Sequence, residues 1–225
     1  MRAATRPALL AVALALVLVV VKPSGACQPP ESPAAYVINH ETHGDIGTHV
    51  LTFSCEGDKL IVETDVEVKV KILFVTAYER RAKYREVWEG DRLISYDART
   101  DDNGDLYEVT ARIEEGEMIV DGVDGTVRVP KDTVSTHPWN VTVVDRPLLF
   151  GQRDGRLRKV EVEAAGQETI DIDGRPVTAR KYVVSGELER ELFYDADGTW
   201  LQWRLERDGK TVTISKRDSG GGSPG

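Results

Sequence analysis

Between Leu60 and Phe74 the chain reads LIVETDVEVKVKILF, and this stretch sorts its side chains by parity. Val62, Thr64, Val66, Val68, Val70, Ile72 and Phe74 fall on one side, and Glu63, Asp65, Glu67, Lys69 and Lys71 on the other. A strand turns successive side chains to opposite faces, whereas a helix would spread those charges around its circumference; the β-branched content agrees with a strand. At about 3.3 Å per residue the run spans nearly 50 Å, well beyond the usual strand of about 5–6 residues, so it must bend. The apolar side needs a cover, and what lies against it decides the fold.

The remainder of the chain supplies more strands and almost no helix. Turn dipeptides recur at Glu56, Glu89, Asp102, Glu114, Val123, Arg153, Ala164, Asp171, Asp195 and Arg207, most of them Asp-Gly, Asn-Gly or Gly-Asp. Such pairs supply the positive φ that tight hairpins require, so their spacing predicts consecutive antiparallel strands in a meander. The AAG at Ala164 is read with the rest, separating LRKVEVEA from ETIDI. One stretch breaks the rhythm: Val129 to Gly151 lacks alternation and holds Pro130, Pro138 and Pro147. A connection of that length is uncommon and often functional. With no internal repeat and no helices to cover a sheet, the apolar faces can meet only if the sheet rolls on itself. The expected fold is therefore all-β: a large antiparallel meander rolled into a barrel or half-barrel, with little helix.

The ends set the boundaries. Arg2 and Arg6 precede an apolar run from Ala8 to Val21, followed by Ser24, Gly25 and Ala26, the pattern of a secretory signal. As a helix that run covers about 21 Å against a hydrocarbon core of about 30 Å, too short for a stable span. The expected organisation is a signal peptide over 1–26, a flexible linker over 27–35, one antiparallel β domain over 36–217 and a disordered Gly- and Ser-rich tail over 218–225. The chain is thus expected to be exported, periplasmic or extracellular, with no transmembrane span after cleavage. Cleavage after Ala26 leaves Cys27 first, which invites a lipid anchor; Ser24, where a lipoprotein signal normally has an aliphatic residue, favours ordinary cleavage instead. Cys27 and Cys55 are the only cysteines, and an oxidising compartment permits a single disulfide between them, a lone buried thiol at Cys55 being the alternative. A net charge of −9 argues against a nucleic-acid partner, and no basic stripe offers a footing on a membrane.

Motifs of established chemistry are few. His40, His43 and His49 lie around the first hairpin, but their spacing is loose for a metal, and DDNGD at Asp101–Asp105 is too short for a calcium loop, so no metal and no cofactor is expected. No nucleophile elbow and no phosphate-cradling loop is present, and Ser135 near His137 is not a triad. The loop STHPWN presents His137, Trp139 and Asn140, either as a headgroup site at the mouth of a concavity or as a plug closing the roll. In YERRAKYREVWEGDRL parity groups Tyr84, Glu86 and Trp88, which would draw Glu86 inside and call for an arginine partner such as Arg99 or Arg112. In the aromatic hairpin Leu201, Trp203 and Leu205 share a parity and are expected in the core.

The succession of IGTHVLTF, DVEVKVKILFVTAYERRAKYREVWEGDRLISYDARTDDNGDLYEVTA, the THPWN loop and ELFYDADGTWLQWRLERDG resembles a bacterial family of exported proteins known only as a domain of unknown function. More distantly the pattern resembles the rolled antiparallel sheets of periplasmic lipoprotein carriers, whose concave face receives acyl chains; the fold alone does not fix the function. The expected role is a non-enzymatic binding module whose concave face holds a lipid or an amphipathic small molecule. The candidate contacts are Val66, Val68, Val70, Ile72, Phe74, Tyr84, Trp88, His137, Trp139 and Asn140. The competing readings are a structural protein of the cell envelope that binds an envelope protein and has a filled core, and a hydrolytic enzyme with its site near the 131–150 loop.

Overall fold

The structure is a computed structural model, described here for residues 27–217; the expected signal peptide and tail lie outside the described residues. Fifteen strands follow in chain order: β1 (Ala34–His40), β2 (Gly44–Glu56), β3 (Lys59–Ile72), β4 (Val75–Glu89), β5 (Arg92–Asp102), β6 (Asp105–Glu114), β7 (Glu117–Gly122), β8 (Gly125–Pro130), β9 (Val134–Ser135), β10 (Leu148–Phe150), β11 (Leu157–Ile172), β12 (Arg175–Gly186), β13 (Arg190–Tyr194), β14 (Trp200–Arg207) and β15 (Lys210–Lys216). A 3-10 turn at Val141–Asp145 is the one helical element among the described residues. All strands belong to a single sheet ordered β8-β7-β6-β5-β4-β3-β2-β1-β15-β14-β13-β12-β11-β10-β9, antiparallel throughout except for the short β9–β10 pair. Two meanders are thus welded edge to edge where β1 pairs with β15, from Tyr36 opposite Lys216 to His40 opposite Val212. The rolled all-β architecture expected from the alternation is the one observed, as a half-barrel whose edge strands β8 and β9 are not paired with each other.

The gap between the two edges is sealed by a loop. The backbone N–H of Val123, in the β7–β8 turn, donates to the Asp154 carbonyl at 2.9 Å, and the Tyr96 hydroxyl donates to the Gln152 carbonyl at 3.0 Å. The backbones approach so closely that a Cβ on Gly122 would lie 2.5 Å from the Asp154 carbonyl oxygen, so only glycine fits there.

The interior is a continuous apolar core contributed by both meanders, with Leu51, Val62, Tyr96, Val109, Met118, Phe150, Tyr194 and Trp200 all fully buried. Tyr36 on β1 stacks on Trp200 on β14 with ring centroids 4.0 Å apart, a packed aromatic pair across the weld. A smaller cluster, Ile170, Ile172, Ala179, Phe193 and Leu201, lies apart from this core, with Lys181 and Arg204 over the Phe193 ring. Leu201 therefore does not share the face of Trp203, contrary to simple parity: the β13–β14 register shifts between Phe193 and Tyr194 and breaks the alternation of β14.

Two further expectations are corrected. The AAG at Ala164 is not a turn: β11 runs through it, and Gly166 at φ 83° sits in a bulge between Ala164 and Gln167. The segment over 27–35 is not a free linker either. Cys27 is bonded to Cys55, with their Cα atoms 5.9 Å apart, the Ser32 hydroxyl accepts from the Phe53 N–H at 3.0 Å, and β1 already begins at Ala34. A sulfur in a disulfide cannot also carry a thioether lipid.

Candidate functional site

Strand β4 connects two chemically different halves of the interior. Its inward parity places Arg80, Ala82, Tyr84, Glu86 and Trp88 in a row. Towards the β4–β5 turn the row ends in a dry polar cluster; towards the β3–β4 turn it ends in a cavity.

The dry cluster is built on Glu86, whose exposure is 0%. Its Oε2 accepts from the indole N–H of Trp88 at 2.7 Å and from that of Trp139 at 2.7 Å, and its Oε1 lies 2.9 Å from His137 Nδ1. Three N–H donors around two oxygens suit an acceptor-only carboxylate, and they fix His137 with its proton on Nδ1. The expected arginine partners are elsewhere: Arg99 pairs with Glu108, and Arg112 with Glu114 and Asp121, all exposed. Alternation could show that Glu86 points inward but not that a distant loop would deliver its donors. That loop, between β8 and β10, brings Ser135 to Asn140 across the end of the roll. Trp139 packs against Trp88 at 5.3 Å and Phe53 at 5.5 Å, the Tyr194 hydroxyl donates to the Pro138 carbonyl at 2.8 Å, and the Asn140 side chain accepts from the Thr142 N–H, capping the 3-10 turn.

From this cluster an imidazole pair leads towards the cavity. His137 Nε2 faces His49 Nε2 at 3.0 Å, so one proton at most is shared between the two nitrogens. Burial, together with the nearby His137 and Arg80 charges, holds the His49 pKa well below the ordinary imidazole value. His49 is therefore neutral at physiological pH.

The cavity has a volume of about 360 Å³, in the range of small-ligand sites (about 300–1,000 Å³). Its walls are apolar, from Ile38, Ile46, Val66, Val68, Val70, Trp203, Leu205, Val212 and Ile214, with His49 and Tyr84 on the side of the dry cluster. Its mouth is ringed by residues of the β1–β2 and β14–β15 turns and the β3–β4 stem: His40 and His43, Arg207 and Asp208, Tyr78 and Arg80. Arg80 is the charged group that reaches in. It donates from Nη2 to the Tyr84 hydroxyl at 2.9 Å, makes no ion pair within 4 Å among the described residues, and keeps a buried Nε without a partner. Burial opposes its charge, but Tyr84, Tyr78 and Asp102 outweigh it and raise its pKa, so it is a permanent cation. Asp102 itself is engaged by the Tyr78 hydroxyl at 2.6 Å and by Arg153.

Of the residues singled out from sequence, Val66, Val68, Val70 and Tyr84 line this cavity. Ile72 and Phe74 do not: they stand at the exposed β3–β4 turn, because the hairpin outruns the strands beside it. Trp88, His137, Trp139 and Asn140 do not line it either, since they build the closed end of the roll. Sequence reasoning passed over Arg80, although Arg80 shares the parity of Tyr84 and Glu86, and it weighed His49 only as a metal ligand. No group of three or more residues suited to hold a metal is found among the described residues, and no helix among them is long and apolar enough to cross a membrane.

Comparison with known proteins agrees with this architecture. The crystal structure of a beta-barrel-like protein of the domain of unknown function DUF1849 from Brucella abortus superposes with a TM-score of 0.56 at 11% identity, covering 82% of this chain and 94% of that one. At that identity the likeness is one of fold. No curated protein matches the sequence. The family model of the domain of unknown function DUF6134 matches residues 42–217, the span from the first hairpin to the last strand, and the chain belongs to that family.

Proposed function

We propose that the protein is an exported, non-enzymatic binding module that holds one amphipathic anion, its apolar part in the cavity and its charged head on Arg80. The observation that carries this reading is the permanently charged Arg80, with no ion pair within 4 Å among the described residues and an Nε without a partner, at a recess whose inner wall is mainly aliphatic and aromatic. Arg80 is half-buried, and the carboxylate nearest it in register, Asp102, is engaged by Tyr78 and Arg153, so an anionic ligand would add a direct charge partner and supply the missing acceptor. The leader-like start of the chain and the Cys27–Cys55 bond support export. The test is uptake of 11-(dansylamino)undecanoic acid, followed by fluorescence, beside native mass spectrometry of protein purified from its own envelope. A charge-assisted hydrogen bond is worth about 1.5–3 kcal/mol, so Arg80→Met should weaken the acid about 10–100-fold and leave its methyl ester nearly unaffected. Val68→Trp, which fills the recess, should abolish both. No uptake by the wild-type protein, or equal loss of acid and ester in Arg80→Met, rules against the reading.

A second reading has one observation in its favour: the line Glu86–His137–His49 ends at the cavity wall, as a positioned base would. No Ser, Thr or Cys lines the cavity, so the nucleophile would be water. Turnover of short p-nitrophenyl esters by the wild-type protein and its loss in His49→Asn would support a hydrolase; identical background rates dismiss it.

A further inference from the structure

The β3–β4 hairpin ends in a turn unlike the others. Eight pairs of successive strands are joined by two-residue turns, and seven of these turns contain Gly or Asp: Gly57–Asp58, Gly90–Asp91, Asn103–Gly104, Glu115–Gly116, Val123–Asp124, Asp173–Gly174 and Asp208–Gly209. The eighth is Leu73–Phe74, flanked by the paired Ile72 and Val75. Leu73 occupies φ 56°, a left-handed conformation that glycine or asparagine adopts at lower cost. Exposures are 55% for Ile72, 89% for Leu73, 100% for Phe74 and 69% for Val75. Four consecutive large apolar residues, one of them strained, are held in water at the outermost point of a hairpin. Folding gains nothing from that arrangement, and neither local conformation nor core packing explains it.

The surroundings identify the occupant. Residues 69–81 carry Lys69, Lys71, Arg80 and Arg81 against the single carboxylate of Glu79, which pairs with Lys69 and Arg81 while Arg80 lines the cavity, so the hairpin end keeps a net positive charge in a chain whose net charge is −9. A small apolar wedge collared by cations matches the boundary between phospholipid phosphates and acyl chains. A second copy of the chain fits poorly: four side chains fall far short of the roughly 1,200 Å² that a stable dimer buries, and two such collars would repel. The stem of the same hairpin provides Val66, Val68, Val70, Tyr78 and Arg80 to the cavity, so a tip seated in a bilayer would set the cavity mouth close to the lipid surface. We propose that the tip of the β3–β4 hairpin docks the protein on a phospholipid surface, with Leu73 and Phe74 inserted below the headgroups and Lys69 and Lys71 level with the phosphates. The docking stands on the tip alone and does not require that the cavity hold a ligand.

The test uses the chain from Cys27 onward, since the apolar run from Ala8 to Val21 would bind lipid by itself and residues 27–217 form one sheet with its own core. Flotation with phosphatidylcholine vesicles containing one quarter phosphatidylglycerol should recover the wild-type protein. The double variant Leu73→Asn with Phe74→Asp should partition at least tenfold less while its thermal midpoint stays at or above that of the wild type. In Phe74→Trp the new indole should shift to the blue on adding vesicles and be quenched by lipids brominated near the headgroup. The cavity-filling Val68→Trp should float like the wild type, which separates failure of docking from failure of ligand binding. A wild-type protein that remains with the aqueous fraction, a double variant that floats undiminished, or a dimer in sedimentation velocity that the double variant breaks without any lipid partition would each overturn the proposal.

Discussion

The two ends of the roll solve the same problem in opposite ways. Each has charged or polar groups drawn into an apolar interior by the inward parity of β4. At the closed end Glu86 meets two indoles and an imidazole, and every donor and acceptor among the four is accounted for. At the open end Arg80 makes one direct hydrogen bond, to the Tyr84 hydroxyl, and its Nε has no partner. A satisfied buried charge specifies structure; an unsatisfied one leaves chemistry to be completed by something else. The contrast lies in what faces the strand: the loop from Ser135 to Asn140 crosses one end, while three turns merely surround the other.

The difference can be broken by substitution. Glu86→Ala strands three buried N–H groups and should cost about 3–5 kcal/mol in urea unfolding, against less than about 1 kcal/mol for Arg80→Met. Equal costs would erase the distinction between the ends. Acid offers a milder probe. The folded-state pKa of His49 is depressed, so below about pH 6.5 the unfolded chain binds a proton that the folded chain refuses, and stability falls as pH falls. This single group contributes a slope of at most about 1.4 kcal/mol per pH unit, and His49→Asn should flatten the curve by one proton. The smallest expected change is a gain: Leu73→Gly relieves the positive φ at the open end and should raise stability by about 0.5–1 kcal/mol, a rise of roughly 1–4 °C in Tm. A loss there would mean that the exposed tip contributes to the fold.

Much of the sheet was legible because its signals are local. Val62 to Val70 alternate as a half-buried strand must, and Asp-Gly, Asn-Gly or Gly-Asp marks most of the hairpins. What escaped was set by tertiary structure or by the lack of a local mark. Leu73–Phe74 contains no turn residue, so the sequence runs on as strand where the chain reverses. Gly166 looks like a turn and is a bulge, since a positive φ serves either. The inward course of Glu86 follows from parity, but two of its three partners, His137 and Trp139, lie more than fifty residues away on a segment without periodicity. Arg80 was readable from the same parity and was overlooked because charge ordinarily signals solvent.

The weld between β1 and β15 has a consequence for how the chain reaches this state. Residues 34–40 must wait for residues 210–216 before their second edge is covered, so nearly the whole polypeptide has to be present before the middle of the sheet exists. Contacts of such long range slow folding and leave β1 open to wrong pairing in the meantime. A nascent or translocating copy lacking only its final hairpin would carry a raw seam through its centre, the point at which a chaperone has most to protect.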